Sequence, residues 1–135
     1  MKYEIPDNSI ILSIKEDVIV DSLNDWDEEI EYKGLIIETD KGSIKLVIDN
    51  RRQCCENSGA LFFDTPDDVS RFIGAFILEI ETIDIEREGY MDNETQLRII
   101  TSKGVIQYAI YNKHNGHYAH ATIIQVFDSI KHSSL

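Results

Sequence analysis

The 135-residue chain is short of several things, and each shortage excludes something. Its only two cysteines are neighbours, Cys54-Cys55. A secreted disulfide framework uses spaced pairs, and a vicinal disulfide strains the backbone, so two thiols in a reducing compartment are expected. No apolar run approaches the roughly 20 residues that a membrane-spanning helix needs. The opening Met-Lys-Tyr-Glu-Ile-Pro lacks the basic start and apolar stretch of a signal peptide. The expectation is a soluble, cytoplasmic protein with no membrane contact. Cations are scarce: 13 Lys and Arg stand against 25 Asp and Glu, a formal charge of −12. Nucleic-acid binding needs Lys and Arg to displace counterions from phosphates, so direct nucleic-acid binding is not expected. The phosphate-loop glycines, Gly-x-Ser-x-Gly and His-Glu-x-x-His are all missing. At 42% hydrophobic and 28% charged, the chain reads as one ordinary globular domain over residues 1–135.

What is present is a sequence said twice. Leu35–Asn50 reads LIIETDKGSIKLVIDN and Leu97–Asn112 reads LRIITSKGVIQYAIYN, with eight of sixteen positions identical at an offset of 62. Upstream, Ile11-Leu12-Ser13-Ile14 resembles Ile77-Leu78-Glu79-Ile80 at an offset of 66. Two copies imply a duplicated supersecondary unit inside one domain, about 10–63 and 76–127, and not a solenoid. Each copy alternates like a half-buried hairpin: Leu35, Ile37, Thr39 and Ile44, Leu46, Ile48 face one way, with Glu38, Lys45 and Asp49 opposite. Thr-x-Lys-Gly fits a short turn ending in a glycine of positive φ. The second copy carries Ile100, Val105, Ala109 and Tyr111 on its outer side. Its two faces are therefore expected to be covered, by a helix or a partner subunit, and the first copy to have one wet face.

Elsewhere, residues 1–9 read as a loose lead-in and Ile10–Val20 as one or two strands. Asp21–Lys33 reads as a loop, and Phe76–Glu86 as a long strand. Asn115-Gly116 should turn the chain back along Tyr118–Phe127, leaving 128–135 as a tail. Thr65-Pro66-Asp67-Asp68 looks like a helix start, with Thr65 as cap and Gly74 as stop, which predicts a short helix over 66–73. The fold class expected is α+β: an antiparallel sheet of about eight strands from two fused hairpin-containing repeats, plus that helix.

Functional candidates fall into two groups. The segments leaving the hairpins hold Arg51, Arg52, Cys55, Lys113, His114, His117 and Tyr118 in an otherwise acidic chain. Donors concentrated this way suit a small anionic ligand, with Tyr118 as an aromatic wall; alternatively Arg51 and Arg52 only pair with nearby carboxylates. Glu16 to Glu31 holds eight carboxylates and no Lys or Arg. Asp25, Trp26, Asp27, Glu28 and Glu29 there suit a basic protein partner, with Trp26 as anchor; the plainer alternative is a solvated loop with Trp26 folded on the core. Cys54, Cys55, His114, His117 and His120 are of types that bind zinc or form a nucleophile–base pair. On a strand His117 and His120 point to opposite faces, and neighbouring cysteines diverge. No metal, cofactor or catalytic residue is therefore assigned.

Gln53-Cys54-Cys55-Glu56, Phe76-Ile77-Leu78-Glu79-Ile80, Thr101-x-Lys103-Gly104 and Tyr111-x-x-His114-Asn115-Gly116-His117-Tyr118 together carry a resemblance over roughly residues 34–127. The chain resembles a small uncharacterised domain family of phage, prophage and bacterial proteins. That resemblance implies no catalytic residues and a mobile-element setting, in which small proteins often neutralise a host component. The expected function is a non-enzymatic binding protein that sequesters an anionic host ligand, an anti-defence role. An acidic inhibitor of a basic host protein is the alternative, and a Cys/His enzyme or zinc protein the second alternative. A homo-oligomer is compatible with the apolar outer side of the second hairpin.

Overall fold

The computed structural model describes residues 1–21, 30–51, 57–87, 92–113 and 119–135. The described chain is almost wholly antiparallel β-structure in two sheets. Strands β1 (Ile11–Asp21), β2 (Ile30–Thr39), β3 (Gly42–Asp49), β8 (Ala121–Val126) and β9 (Ser129–Ser134) form the first, in the order β1-β2-β3-β8-β9. Strands β4 (Asn57–Phe62), β7 (Gly104–Lys113), β6 (Asp92–Thr101) and β5 (Ile77–Arg87) form the second, in the order β4-β7-β6-β5.

Alternation builds both sheets. Leu35, Ile37, Ile44, Leu46 and Ile48 turn inward from the first, and Ile80, Leu97, Ile99, Ile106, Tyr108 and Ile110 from the second, into one buried cluster. Burying branched side chains from two facing sheets is what holds such a sandwich together. A smaller cluster of Tyr32, Val47 and Ile123, with Ile19, Ile30 and Ala121, lies on the other face of the first sheet. The first hairpin's outer face is thus not simply wet, as its polar residues implied. On the second hairpin's outer side Ala109 is buried and Ile100, Val105 and Tyr111 are half-buried.

The two meanders β1–β2–β3 and β5–β6–β7 agree in detail. A bulge interrupts the ladder between Ile11 and Ser13 in one and between Ile77 and Glu79 in the other. Ile14 pairs with Ile37, and Ile80 with Ile99, the positions related by the sequence offsets. In the turns, Thr39 Oγ1 donates to Gly42 O at 2.7 Å and accepts from Lys41 N at 3.1 Å. Thr101 does the same with Gly104 O and Lys103 N, at 2.7 and 3.1 Å. Gly42 and Gly104 sit at φ 147° and 133°, a region that favours glycine, as the Thr-x-Lys-Gly motif predicts. The meanders meet where Ile10 bridges Phe76, with Ile11 N donating to Ala75 O and Ile77 N to Ser9 O, each at 3.0 Å.

The structure corrects several expectations. The helix over 66–73 is one 3-10 turn, Val69–Phe72, and the described residues contain no α-helix. Thr65 does not cap it: its Oγ1 accepts from Gln107 N at 2.8 Å and prolongs the β4–β7 ladder, while the Asp68 side chain accepts from Ser70 N. Only Phe72 of the turn is buried, too small an anchor for a longer helix. The described residues form nine strands, not eight. Ile10–Val20 contributes a single strand, and β1 and β2 claim both ends of the stretch read as an acidic loop. The expected tail is β9. The lead-in is tied down, since Lys2 bridges Glu81 and Tyr3 N donates to Ile80 O at 3.1 Å. The strand after Asn115-Gly116 is present as β8, but it joins β3 in the opposite sheet instead of folding back on β7.

Candidate functional site

One end of the sandwich carries the two tight turns; the other gathers the ends of both hairpins. At that second pole β3 ends on Asp49, whose side chain is 1% exposed. A buried carboxylate needs a counter-ion and donors. Arg51 supplies them: its Nε and Nη2 donate to Asp49 Oδ2 at 2.7 and 2.6 Å, and its backbone N to Oδ1 at 2.8 Å. The buried His120 brings Nδ1 within 2.8 Å of Asp49 O; facing a carbonyl, that nitrogen is the donor. His120 exchanges backbone hydrogen bonds with Leu135, 2.9 Å each way. Leu135 O in turn accepts from Nδ2 of the buried Asn112, near the end of β7, at 2.9 Å. The chain Asp49–His120–Leu135–Asn112 therefore ties the ends of β3 and β7 together.

The same pole receives the other strand ends. Asp21 pairs with Ile30, Tyr32 with Asp49, and Arg87 with Asp92, which also pairs with Lys113. Asn50 closes the first meander by donating from N to Glu31 O and from Nδ2 to Glu31 Oε1, both at 2.8 Å. The strand ends flanking residues 22–29, 52–56, 88–91 and 114–118 thus all lie here. Of the residues expected at a ligand site, Arg51 and the exposed Lys113 are described, and their strand ends converge. Arg52, Cys55, His114, His117 and Tyr118 lie outside the described residues, as do Asp25, Trp26, Asp27, Glu28 and Glu29.

Arg51 is engaged by a carboxylate two residues away. Sequence reasoning weighed that pairing but did not name Asp49, whose strand alternation places it on the outer face with Glu38 and Lys45, both half-buried. Asn112 had a signal, since asparagine ends both hairpins, at Asn50 and Asn112. His120 was weighed only as a metal ligand; the structure uses it as a buried strut. Among the described residues no three His, Cys, Asp or Glu side chains gather as a metal would need.

A second polar contact crosses the core from β7 to β1. Tyr108, fully buried, donates from its hydroxyl to Glu16 Oε2 at 2.7 Å. Burial, reinforced by the Glu16 carboxylate, pushes the Tyr108 hydroxyl well above the usual phenol range. The contact lies in a cleft of about 370 Å³ lined by Glu16, Asp17, Lys33, Ser58, Ala60 and Tyr111 among others. Sequence reasoning missed it because Tyr108 sits at a core position and Glu16 at the start of an acidic run.

The family model that matches residues 8–124 is that of a domain of unknown function, DUF7448. The chain belongs to the DUF7448 family. No curated protein matches it, and no solved structure does. For this DUF7448 chain, no helix among the described residues is long and apolar enough to cross a membrane.

Proposed function

We propose that this DUF7448 protein is a non-enzymatic binding protein that blocks a basic protein partner. In this reading it works from the pole where its strand ends converge. Its acidic segment, with Asp25, Trp26, Asp27, Glu28 and Glu29, makes the contact. The observation that carries the reading is the Asp49–Arg51 pair: the Arg51 guanidinium at that pole already serves a buried carboxylate, in a chain of charge −12. Charge complementarity then speeds and orients association. In this reading the matching meanders are a duplicated unit that supplies a rigid base, and the setting is a phage or other mobile element acting on a cytoplasmic host component.

A second reading, capture of an anionic small molecule by Arg51, Arg52, Lys113, His114, His117 and Tyr118, is favoured by one observation. The described ends of β3 and β7, next to Arg51 and Lys113, are bonded through His120 and Leu135. Native mass spectrometry of the protein purified at low salt separates the readings. A stoichiometric basic protein that is released by salt, and lost when Asp25, Asp27, Glu28 and Glu29 become amides, is the expected result. A bound mass of a few hundred daltons would replace it with ligand capture, and one zinc ion with a Cys–His centre. A self-complex would point to a homo-oligomer.

A further inference from the structure

Among the described residues the two sheets differ by one strand, and the difference leaves one edge without a neighbour. At the offset of 62, Phe62 pairs with Tyr108 as Ile124 pairs with Leu46, so β4 and β8 occupy equivalent places, each in the other meander's sheet. Phe63 N donates to Gln107 O, and Phe127 N to Ser43 O. Amides of an antiparallel strand alternate in direction. Those bonds therefore turn the backbone of Ser58, Ala60 and Phe62 away from β7, and that of His120, Thr122 and Ile124 away from β3. On β8 these outward groups are met by Leu135, Ser133 and Lys131 at the end of the chain. On β4, among the described residues, nothing meets them, and the chain after β4 forms the 3-10 turn instead of a strand.

The surroundings of that edge agree with this. β1 overhangs the β4 edge with Glu16, Val18 and Val20 on its inner side; Val18 is 47% and Val20 59% exposed, with no strand beneath them among the described residues. Glu16 and Asp17 line the cleft between β1 and β4, against one cation, Lys33. In the equivalent cleft at the far side, β9 brings Lys131 among Asp84, Glu86 and Glu94. The molecule thus contains its own example of what fills such a place: an extended strand carrying a basic side chain into an acidic cleft.

We propose that the β4 edge accepts an extended, basic segment of a partner protein as a fifth, antiparallel strand. That segment lies on Ser58, Ala60 and Phe62 as β9 lies on Thr122 and Ile124. Main-chain hydrogen bonds hold it, its apolar residues cover Val18 and Val20, and a Lys or Arg enters the cleft at Glu16. This goes beyond the reading of the polar pole. It uses a different edge of the molecule and stands whether or not residues 22–29 contact a partner.

The probe is a seven-residue peptide with lysine at position 2, isoleucine at positions 4 and 6 and threonine between them, so that one face carries all three contacts; it is titrated to about 1 mM while backbone amide NMR signals are followed. The amides of Ser58, Ala60 and Phe62 should shift most, with little response from β9. Ala60→Pro removes an outward N–H without touching the β4–β7 ladder, so it should weaken binding at least about tenfold. Glu16→Gln keeps an acceptor for Tyr108 and should weaken binding about threefold, with a flatter salt dependence. A peptide N-methylated at alternate residues should not bind, a control independent of whether the proline variant folds. Equal binding of a glutamate-for-lysine peptide, shifts centred elsewhere, or no shift at β4 would overturn the proposal. Concentration-dependent broadening at β4 without peptide, with dimers in sedimentation, would also overturn it by assigning the edge to a second copy.

Discussion

The β1–β2–β3 and β5–β6–β7 meanders share a bulge, a register and a turn, yet they spend equivalent positions differently. Where the first has Gly34, the second has Gln96; where the second has Tyr108, the first has Leu46; where the first has Glu16, the second has Thr82. The shared features are those that backbone geometry demands. These three differences lie beside the cleft between β1 and β4, where, among the described residues, the first meander lacks the strand that β9 provides on the other side. Equivalent frames therefore carry unequal surfaces, and the inequality marks where the molecule is open to a partner.

Gly34 offers the largest break in that comparison. A Cβ built there meets Leu46 O at 2.2 Å, with φ at 154°. Backbone cannot yield as a side-chain tip can, so Gly34→Ala should cost about 3 kcal/mol or more in denaturant unfolding. Gln96→Ala should stay within about 0.5 kcal/mol. Equal costs would mean that the two meanders do not differ in strand approach at this position. The turns should instead behave alike. Gly42→Val and Gly104→Val each place a β-branched residue at positive φ, beside Phe127 and Phe72 respectively. Each should cost about 2 kcal/mol, with the pair agreeing within about 0.5 kcal/mol. A gap wider than that would separate turns that look the same.

The smallest expected effect concerns Tyr108. Tyr108→Phe removes one hydrogen bond to an exposed carboxylate and should cost about 1 kcal/mol at neutral pH. Its pH dependence is more telling. The folded hydroxyl is held protonated above the usual range, while in the unfolded chain it ionises near pH 10. Its contribution is thus complete below about pH 10 and lost as pH rises beyond, by about 1.4 kcal/mol per pH unit. Stability of the Tyr108→Phe protein, measured from about pH 9 to about pH 11.5, should fall less steeply by that amount. Parallel curves would place the hydroxyl in water.

Much of the frame was legible because it is local. Alternation of Leu35, Ile37, Ile44 and Leu46, repeated at 97–110, needs only the two-residue period of a strand and one buried face. Thr-x-Lys-Gly needs only one turn and one positive φ. The identity of residues at a fixed offset was enough to expect two like hairpins, and could not say whether their ends meet. Residues whose role depends on a distant neighbour were not legible in this way. Asp49 reads as a solvated strand end until His120 and Arg51 close over it. Thr65-Pro66-Asp67-Asp68 reads as a helix start, and the competing bond from Gln107 N, 42 residues away, decides otherwise. β9 reads as a polar tail, since all six of its residues are exposed, and it exists because β8 offers it an edge.

The order of residues along the chain was sufficient for most of the strands, the tight turns, the charge and the likeness of the two meanders, because each follows from near neighbours. It was not sufficient to say that β4 and β8 cross into each other's sheets, or that the ends of β3 and β7 share one bonded pole. Nor could it say that one sheet closes with a fifth strand while the other, among the described residues, does not. Those outcomes depend on which edge is left with unpaired amides once the core has closed, and no local pattern of residues records that.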